Sequence, residues 1–157
     1  MILDENTIQI LLEKAREAKE QAYAPYSGYR VGACLLLPDG RMYTGCNVEN
    51  AAYGDTICAE RTAIVKAVSE GERRFCAIAI TADGEGIAYP CGSCRQVLSE
   101  FGLDTLVIAS NRQLQYHIQT VGSLLPHSFS CDAMEDSVLP EKESVVPEMQ
   151  EKKICLG

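Results

Sequence analysis

Positive charge is scarce in this chain. Fourteen Lys and Arg stand against 22 Asp and Glu among 157 residues, a formal net charge of −8. The basic footprint of a nucleic-acid or anionic-membrane binder is therefore missing, and chemistry on a small molecule is favoured. Long apolar runs are also missing: no window approaches the roughly 20 residues that a membrane-spanning helix needs. Met1 to Ile10 carry Asp4 and Glu5 and no basic stretch ahead of an apolar run, so they do not read as a secretory signal, and a cytoplasmic location is expected. Cysteine is too sparse for a disulfide scaffold, with eight residues where such chains exceed about 8%. In a reducing compartment, patterned cysteines point instead to metal binding or catalysis. The only two histidines, His117 and His127, match no ligand spacing and read as structural or exposed. Disorder is excluded for most of the chain by 46% hydrophobic and 23% charged residues, and the length suits one domain with its own core.

Ile8, Leu11, Leu12, Ala15, Ala18 and Ala22 recur at helical spacing. Asp4 or Asn6 can cap that helix, and Pro25 stops the pattern. Tyr29 to Leu37 and Arg41 to Val48 read as the arms of a hairpin across Pro38-Asp39-Gly40. A second helix is expected from just after Asp55-Thr56 to Gly71, a left-handed cap, and a third from Cys91 to Phe101, closed by Gly102. Phe75 to Ala82, Thr105 to Ala109 and Tyr116 to Val121 complete about five strands. Helices interleaved with strands predict a three-layer α/β/α sandwich, and the hairpin makes its sheet mixed. No internal repeat is present. From Ser130 onward seven acidic residues face three lysines, with Pro140 and Pro147 and little periodicity. The expected division is a domain over residues 1–129 and an acidic tail over 130–157.

The chemistry-bearing residues are Cys58-Ala59-Glu60 and Pro90-Cys91-Gly92-Ser93-Cys94. Both segments open predicted helices, where free N–H groups and partial positive charge favour thiolates. Cys91 and Cys94, three apart, share one side of a first turn. Three soft ligands could thus converge on one Zn²⁺, and three is the catalytic number, because structural zinc sites close with four. Glu60 can reach the open position without binding the metal, the place for a proton carrier. Three thiolates overcompensate the metal's charge, so the site needs help from helix dipoles, from N–H···S bonds, and from Arg61 or Arg95.

Asn47-Val48-Glu49-Asn50-Ala51-Ala52-Tyr53, Cys58-Ala59-Glu60-Arg61-Thr62-Ala63 and Pro90-Cys91-Gly92-Ser93-Cys94-Arg95-Gln96-Val97 together resemble the small, homotetrameric, zinc-dependent cytidine deaminases. The resemblance runs from about Leu12 to Phe129. It implies that Cys58, Cys91 and Cys94 hold one zinc ion per chain, and that Glu60 is the general acid/base, moving a proton from water to N3 of the pyrimidine as C4 is attacked. It implies that Asn47 and Glu49 hold the ribose, that main-chain groups around Ala59 read the base, and that aromatics flank it at Tyr29 and, from a neighbouring subunit, at Phe129. The expected reaction converts cytidine and 2′-deoxycytidine to the uridine products and ammonia. Two departures stand out: Tyr29 occupies a usual Phe position, and the acidic tail is longer than the family's.

Blander readings compete. Cys91 and Cys94 could be a redox pair, half of a structural zinc knuckle, or small core residues. A thiol-protease reading fails, because Arg95 replaces the aromatic and no His lies far enough downstream. Cys34, Cys46 and Cys76 read as core, and Cys131 and Cys155 as tail residues. Asn47 and Glu49 could merely stabilise a turn, Phe129 could anchor the chain end, and Tyr26 and Tyr53 could line the site or an interface. Among functions, the alternatives are deamination of another cytosine-bearing small molecule, with Arg30 the one candidate for a 5′-phosphate; a polynucleotide-editing deaminase, disfavoured by the charge; and a non-catalytic zinc module.

Overall fold

The computed structural model describes residues 3–131. Ten elements follow one another: α1 (Glu5–Lys19), β1 (Val31–Leu36), β2 (Met42–Cys46), a 3₁₀ turn (Tyr53–Asp55), α2 (Ala59–Ser69), β3 (Ala77–Ala82), α3 (Gly92–Ser99), β4 (Leu106–Ser110), β5 (Tyr116–Thr120) and α4 (Val121–Leu124). The five strands form one sheet in the order β2-β1-β3-β4-β5. Only the β3–β4 pair is parallel, so the sheet is mixed, as the hairpin implied.

Both faces of the sheet are covered, which is why its central strands read as continuous apolar runs rather than alternating ones. All six residues of β3 are buried. On one face, Ile8, Leu11, Leu12 and Ala15 of α1 pack on Cys34, Leu36, Ala77, Ala79 and Ile108. On the other, Ala63, Ile64, Ala67 and Leu98 of α2 and α3 pack on Ala33, Leu35, Ile78, Ile80 and Val107. The three-layer expectation is met. Cys34 and Cys76 are core residues, and burial pushes the Cys34 thiol up to about 12, so it packs as a small hydrophobe. Cys46 is only half-buried.

Two glycines let the helices sit close. A Cβ on Gly32 would meet the Ala15 carbonyl oxygen at 2.0 Å, and one on Gly45 would meet the Ala59 oxygen and Ala63 nitrogen at 2.5 Å each. Gly32 pairs with Cys46 and Gly45 with Ala33 across the hairpin. The two glycines therefore face opposite layers, one under α1 and one under α2.

The expected boundaries shift where tertiary contacts compete with local pattern. Asp4 caps α1, its carboxylate accepting from Thr7 N at 2.9 Å. The helix ends at Lys19, short of Ala22, because Tyr23 is drawn into a bridge with Val48, donating to Asn47 O at 3.0 Å and accepting from Glu49 N at 2.8 Å. Likewise α2 starts at Ala59 rather than straight after Thr56, since Ile57 pairs with Val48 through two bonds of 2.9 and 3.0 Å. The third helix is shorter at both ends than Cys91 to Phe101. The one-turn α4, capped by Thr120, has no periodicity to betray it. Gly71 and Gly102 take positive φ, as expected of closing glycines. Cys155 and the tail beyond residue 131 lie outside the described residues. Among the described residues, 3–131, no helix is long and apolar enough to cross a membrane.

Candidate metal and deamination site

Cys58 and Cys91 are the N-cap residues of α2 and α3, each in extended backbone, and neither sulfur is used to cap its own helix. Cys94 follows in the first turn of α3 and is fully buried. Their sulfurs lie within 4.8 Å of one another, the one cluster among the described residues able to hold a metal. The Cys58 and Cys91 Sγ atoms are 3.8 Å apart. Tetrahedral zinc with Zn–S bonds near 2.3 Å places ligand sulfurs about 3.8 Å apart, so the trio fits Zn²⁺. His117 is far from this role: it is exposed, and its Nδ1 pairs with Tyr89 Oη at 2.7 Å. His127 is exposed too, in a positive-φ turn.

The hydrogen bond with Cys94 lowers the Cys58 thiol most; burial opposes it, Arg61 and Cys91 assist, and it settles at about 5. These contacts favour the Cys58 thiolate, the form a metal would bind. The Arg61 Nη2 donates to Thr56 O at 3.0 Å and contacts Cys58 Sγ at 3.5 Å, while its Nε is buried without a partner. Arg61 thus supplies positive charge to an anionic ligand set. Arg95, the other expected source, does not: its Nε and Nη1 hold Pro90 O and Leu124 O at 2.8 Å each and fix the loop before Cys91 against α4. Arg61→Ala is expected to retain zinc by metal analysis while lowering kcat by about tenfold, of the order found when groups supporting metal ligands are removed.

Glu60 lies in the first turn of α2 and is only 4% exposed. Burial pushes its carboxyl up to about 7, with the Cys58 thiolate adding to the rise. A carboxyl poised there can both take and give a proton near neutrality. Asn47 is also buried, and it is more than a turn amide: Oδ1 accepts from Val31 N at 2.8 Å and Nδ2 donates to Tyr29 O at 2.9 Å. Glu49 accepts from Tyr26 N and Ser27 N at 2.8 and 3.2 Å and from the Ser27 hydroxyl. These bonds hold the Glu49 carboxyl below its usual range, the Ser27 hydroxyl contributing most.

Tyr29 is exposed beside Gly84, where a Cβ would come within 3.4 Å of its hydroxyl. Phe129 is 63% exposed, and its carbonyl accepts from Gln96 Nε2 at 2.8 Å, which anchors the segment to α3. Tyr26 and Tyr53 pair edge to face on the surface, ring centroids 5.6 Å apart. Sequence reasoning missed the ion cluster of Lys19, Asp83 and Arg30, although Lys19 continues the apolar stripe of α1 four residues after Ala15, an odd place for a lysine.

Three cysteine sulfurs gathered at two helix N-termini, with a buried carboxyl in the same first turn of α2, form a site able to hold a metal ion. Residues 5–110 match the family described as cytidine and deoxycytidylate deaminase zinc-binding region. The chain is 50% identical over 124 residues to a cytidine deaminase of Sporosarcina psychrophila, covering 78% of this chain and 91% of that one. A cytidine deaminase of Halalkalibacterium halodurans is 49% identical over 129 residues, 82% and 98% of the two chains. The crystal structure of cytidine deaminase from Burkholderia pseudomallei superposes with a TM-score of 0.75 at 46% identity, covering 77% of this chain and 98% of that one. This chain belongs to the cytidine deaminase family.

Proposed function

We propose that this chain deaminates cytidine and 2′-deoxycytidine hydrolytically, giving uridine or 2′-deoxyuridine and ammonia in pyrimidine salvage. The observation that carries the reading is the convergence of Cys58, Cys91 and Cys94 with Glu60 buried beside them. Zinc held by the three thiolates supplies a Lewis acid that makes water a nucleophile near neutral pH. Glu60 would take one proton from the attacking water and give it to N3 of the pyrimidine as oxygen adds at C4, then take the second proton from the C4 hydroxyl as the carbonyl forms and give it to the amino group, which leaves as ammonia. One water is consumed and one ammonia leaves. In this reading the main chain around Ala59, at the start of α2, reads the base, and Asn47 and Glu49 hold the sugar hydroxyls. Both of the latter are already oriented by backbone bonds, which lowers the ordering cost on binding.

Tyr29 contributes one aromatic wall. The exposed ring of Phe129 supports the reading that it serves a neighbouring copy, in a homotetramer with shared sites. Residues 1–129 form the catalytic domain in this reading, and the enzyme is cytoplasmic. A nucleotide substrate is not favoured, because Arg30 is already engaged: it donates to Asp83 at 2.9 and 3.3 Å and to Glu20 at 2.7 Å. The test is to count zinc per chain and follow ultraviolet absorbance loss on cytidine and on its 5′-phosphate. One zinc per chain and turnover of cytidine alone are expected; metal without turnover of either compound would leave a zinc-binding module instead.

A further inference from the structure

Lys19 is 6% exposed and Asp83 carries the charge opposite it, yet neither touches the zinc ligands or Glu60. Lys19 Nζ lies 2.6 Å from Asp83 Oδ1, and Arg30 Nε lies 2.9 Å from Asp83 Oδ2, with Glu20 bonding the far side of the guanidinium at 2.7 Å. Burial by itself would raise the Asp83 carboxyl, but the bonds from Arg30 and Lys19 outweigh it and hold the group down at about 2. An ion pair with one partner buried is weak evidence for stability, because desolvation offsets much of the attraction, and the best-attested use of such pairs is to specify one arrangement over others. The question is what this arrangement specifies.

The cluster ties three ends together: the last turn of α1, the entry to β1 and the exit of β3. Asp83 holds residue 30 twice, through its carboxylate to the side chain and through its own N–H to Arg30 O at 3.2 Å. The flanking residues are held from elsewhere by Asn47, which accepts from Val31 N and donates to Tyr29 O. Residues 29–31 therefore sit between two clamps, one ionic and one made by a side chain assigned to the sugar. The residue after Asp83 is Gly84, which borders the Tyr29 ring: a Cβ there would lie in ordinary contact with it, 3.4 Å from the hydroxyl. From there the same loop runs on to Pro90 and Cys91.

We infer that the Lys19–Asp83–Arg30 cluster is a positioning device for the nucleoside pocket, setting the entry to β1 so that Asn47 and Tyr29 face the substrate. This inference rests on the roles proposed above for those two residues. Asp83, Lys19 and Arg30 act through Asn47 and Tyr29 and do not contact substrate. The cluster is distinct from the zinc ligands, so loosening it weakens substrate binding in the ground state and the transition state alike.

The test uses full-length, zinc-loaded protein. Asp83→Asn is expected to raise KM for cytidine about tenfold with kcat within about twofold, the signature of lost uniform binding. Zinc per chain stays at the wild-type value, and Lys19→Arg, which keeps the charge, stays near wild type in KM. If Asp83→Asn does not fold, Arg30→Met carries the same measurement at a half-exposed side chain. A lower Tm with unchanged KM would reduce the cluster to a structural tie and overturn the inference, as would a fall in kcat at unchanged KM. Zinc-loaded wild type that leaves cytidine untouched would instead sink the functional reading, and this inference with it. Turnover by wild type alongside an unshifted KM in the variant sinks the inference alone.

Discussion

Glu60→Gln is expected to lower kcat for cytidine by at least about 10³-fold while leaving zinc content and fold intact, because general acid–base groups contribute roughly 10²–10⁴-fold and this one is assigned every proton transfer in the cycle. The amide has the shape of the carboxyl and cannot carry the proton. Glu60 is not one of the three sulfur ligands, so metal analysis should still find one zinc per chain. It is also almost fully buried, at 4% exposure, and burial already disfavours its charged form. A neutral amide there should melt no lower than wild type, in keeping with the general cost of keeping a charge-bearing group in an active site. Loss of zinc in this variant, or more than about a tenth of wild-type kcat, would remove Glu60 from its assigned role. Metal analysis, thermal melts and the absorbance assay on one preparation give the answer.

Gly45→Ala should damage both stability and chemistry. The added Cβ would lie 2.5 Å from the Ala59 oxygen and the Ala63 nitrogen and 3.0 Å from Thr62 Cβ. Two of these are backbone atoms and cannot swing aside, so α2 must lift from the sheet. Overpacking of this kind costs about 1–3 kcal/mol. Ala59 sits between Cys58 and Glu60, so the displaced turn carries both side chains with it. A shift of a fraction of an ångström at reacting groups is enough to reduce kcat/KM by about 10–100-fold. Gly32→Ala, where the clash is with α1, should lower Tm without changing zinc content. Gly54→Ala, with nothing within 4 Å, should be silent in both assays. Equal zinc affinity and activity in Gly45→Ala and wild type would refute the argument.

The cysteine grouping was legible in the chain because it depends on residue type at short spacing. A cysteine, one residue and a glutamate, then two cysteines three apart after a proline, can be read without coordinates, since neighbouring positions on a helix start share a face whatever the rest of the fold does. The hairpin and the five strands were legible for a related reason, as turn chemistry and apolar runs act locally. The start of α2 was not. Ile57 is apolar enough to extend the helical pattern backward, but its two bonds to Val48 hold it extended, and that pairing depends on a partner nine residues away. The same competition ended α1 at Lys19. Arg95 could be placed near the ligands from sequence, yet which carbonyls it would hold required knowing that α4 passes beside it.

Local pattern by itself brought out the grouping of Cys58, Cys91 and Cys94, the carboxyl of Glu60 two residues from the first of them, the alternation of helices and strands, and a net charge of −8. Only the tertiary structure decided that Cys58 and Cys91 become N-caps, that Gly32 and Gly45 bear opposite helices, and that Lys19, Asp83 and Arg30 meet. The reason is range: propensity and ligand spacing act over a few residues, whereas close packing and ion pairing join distant positions, Lys19 and Asp83 being 64 apart, and nothing local encodes which distant partner arrives.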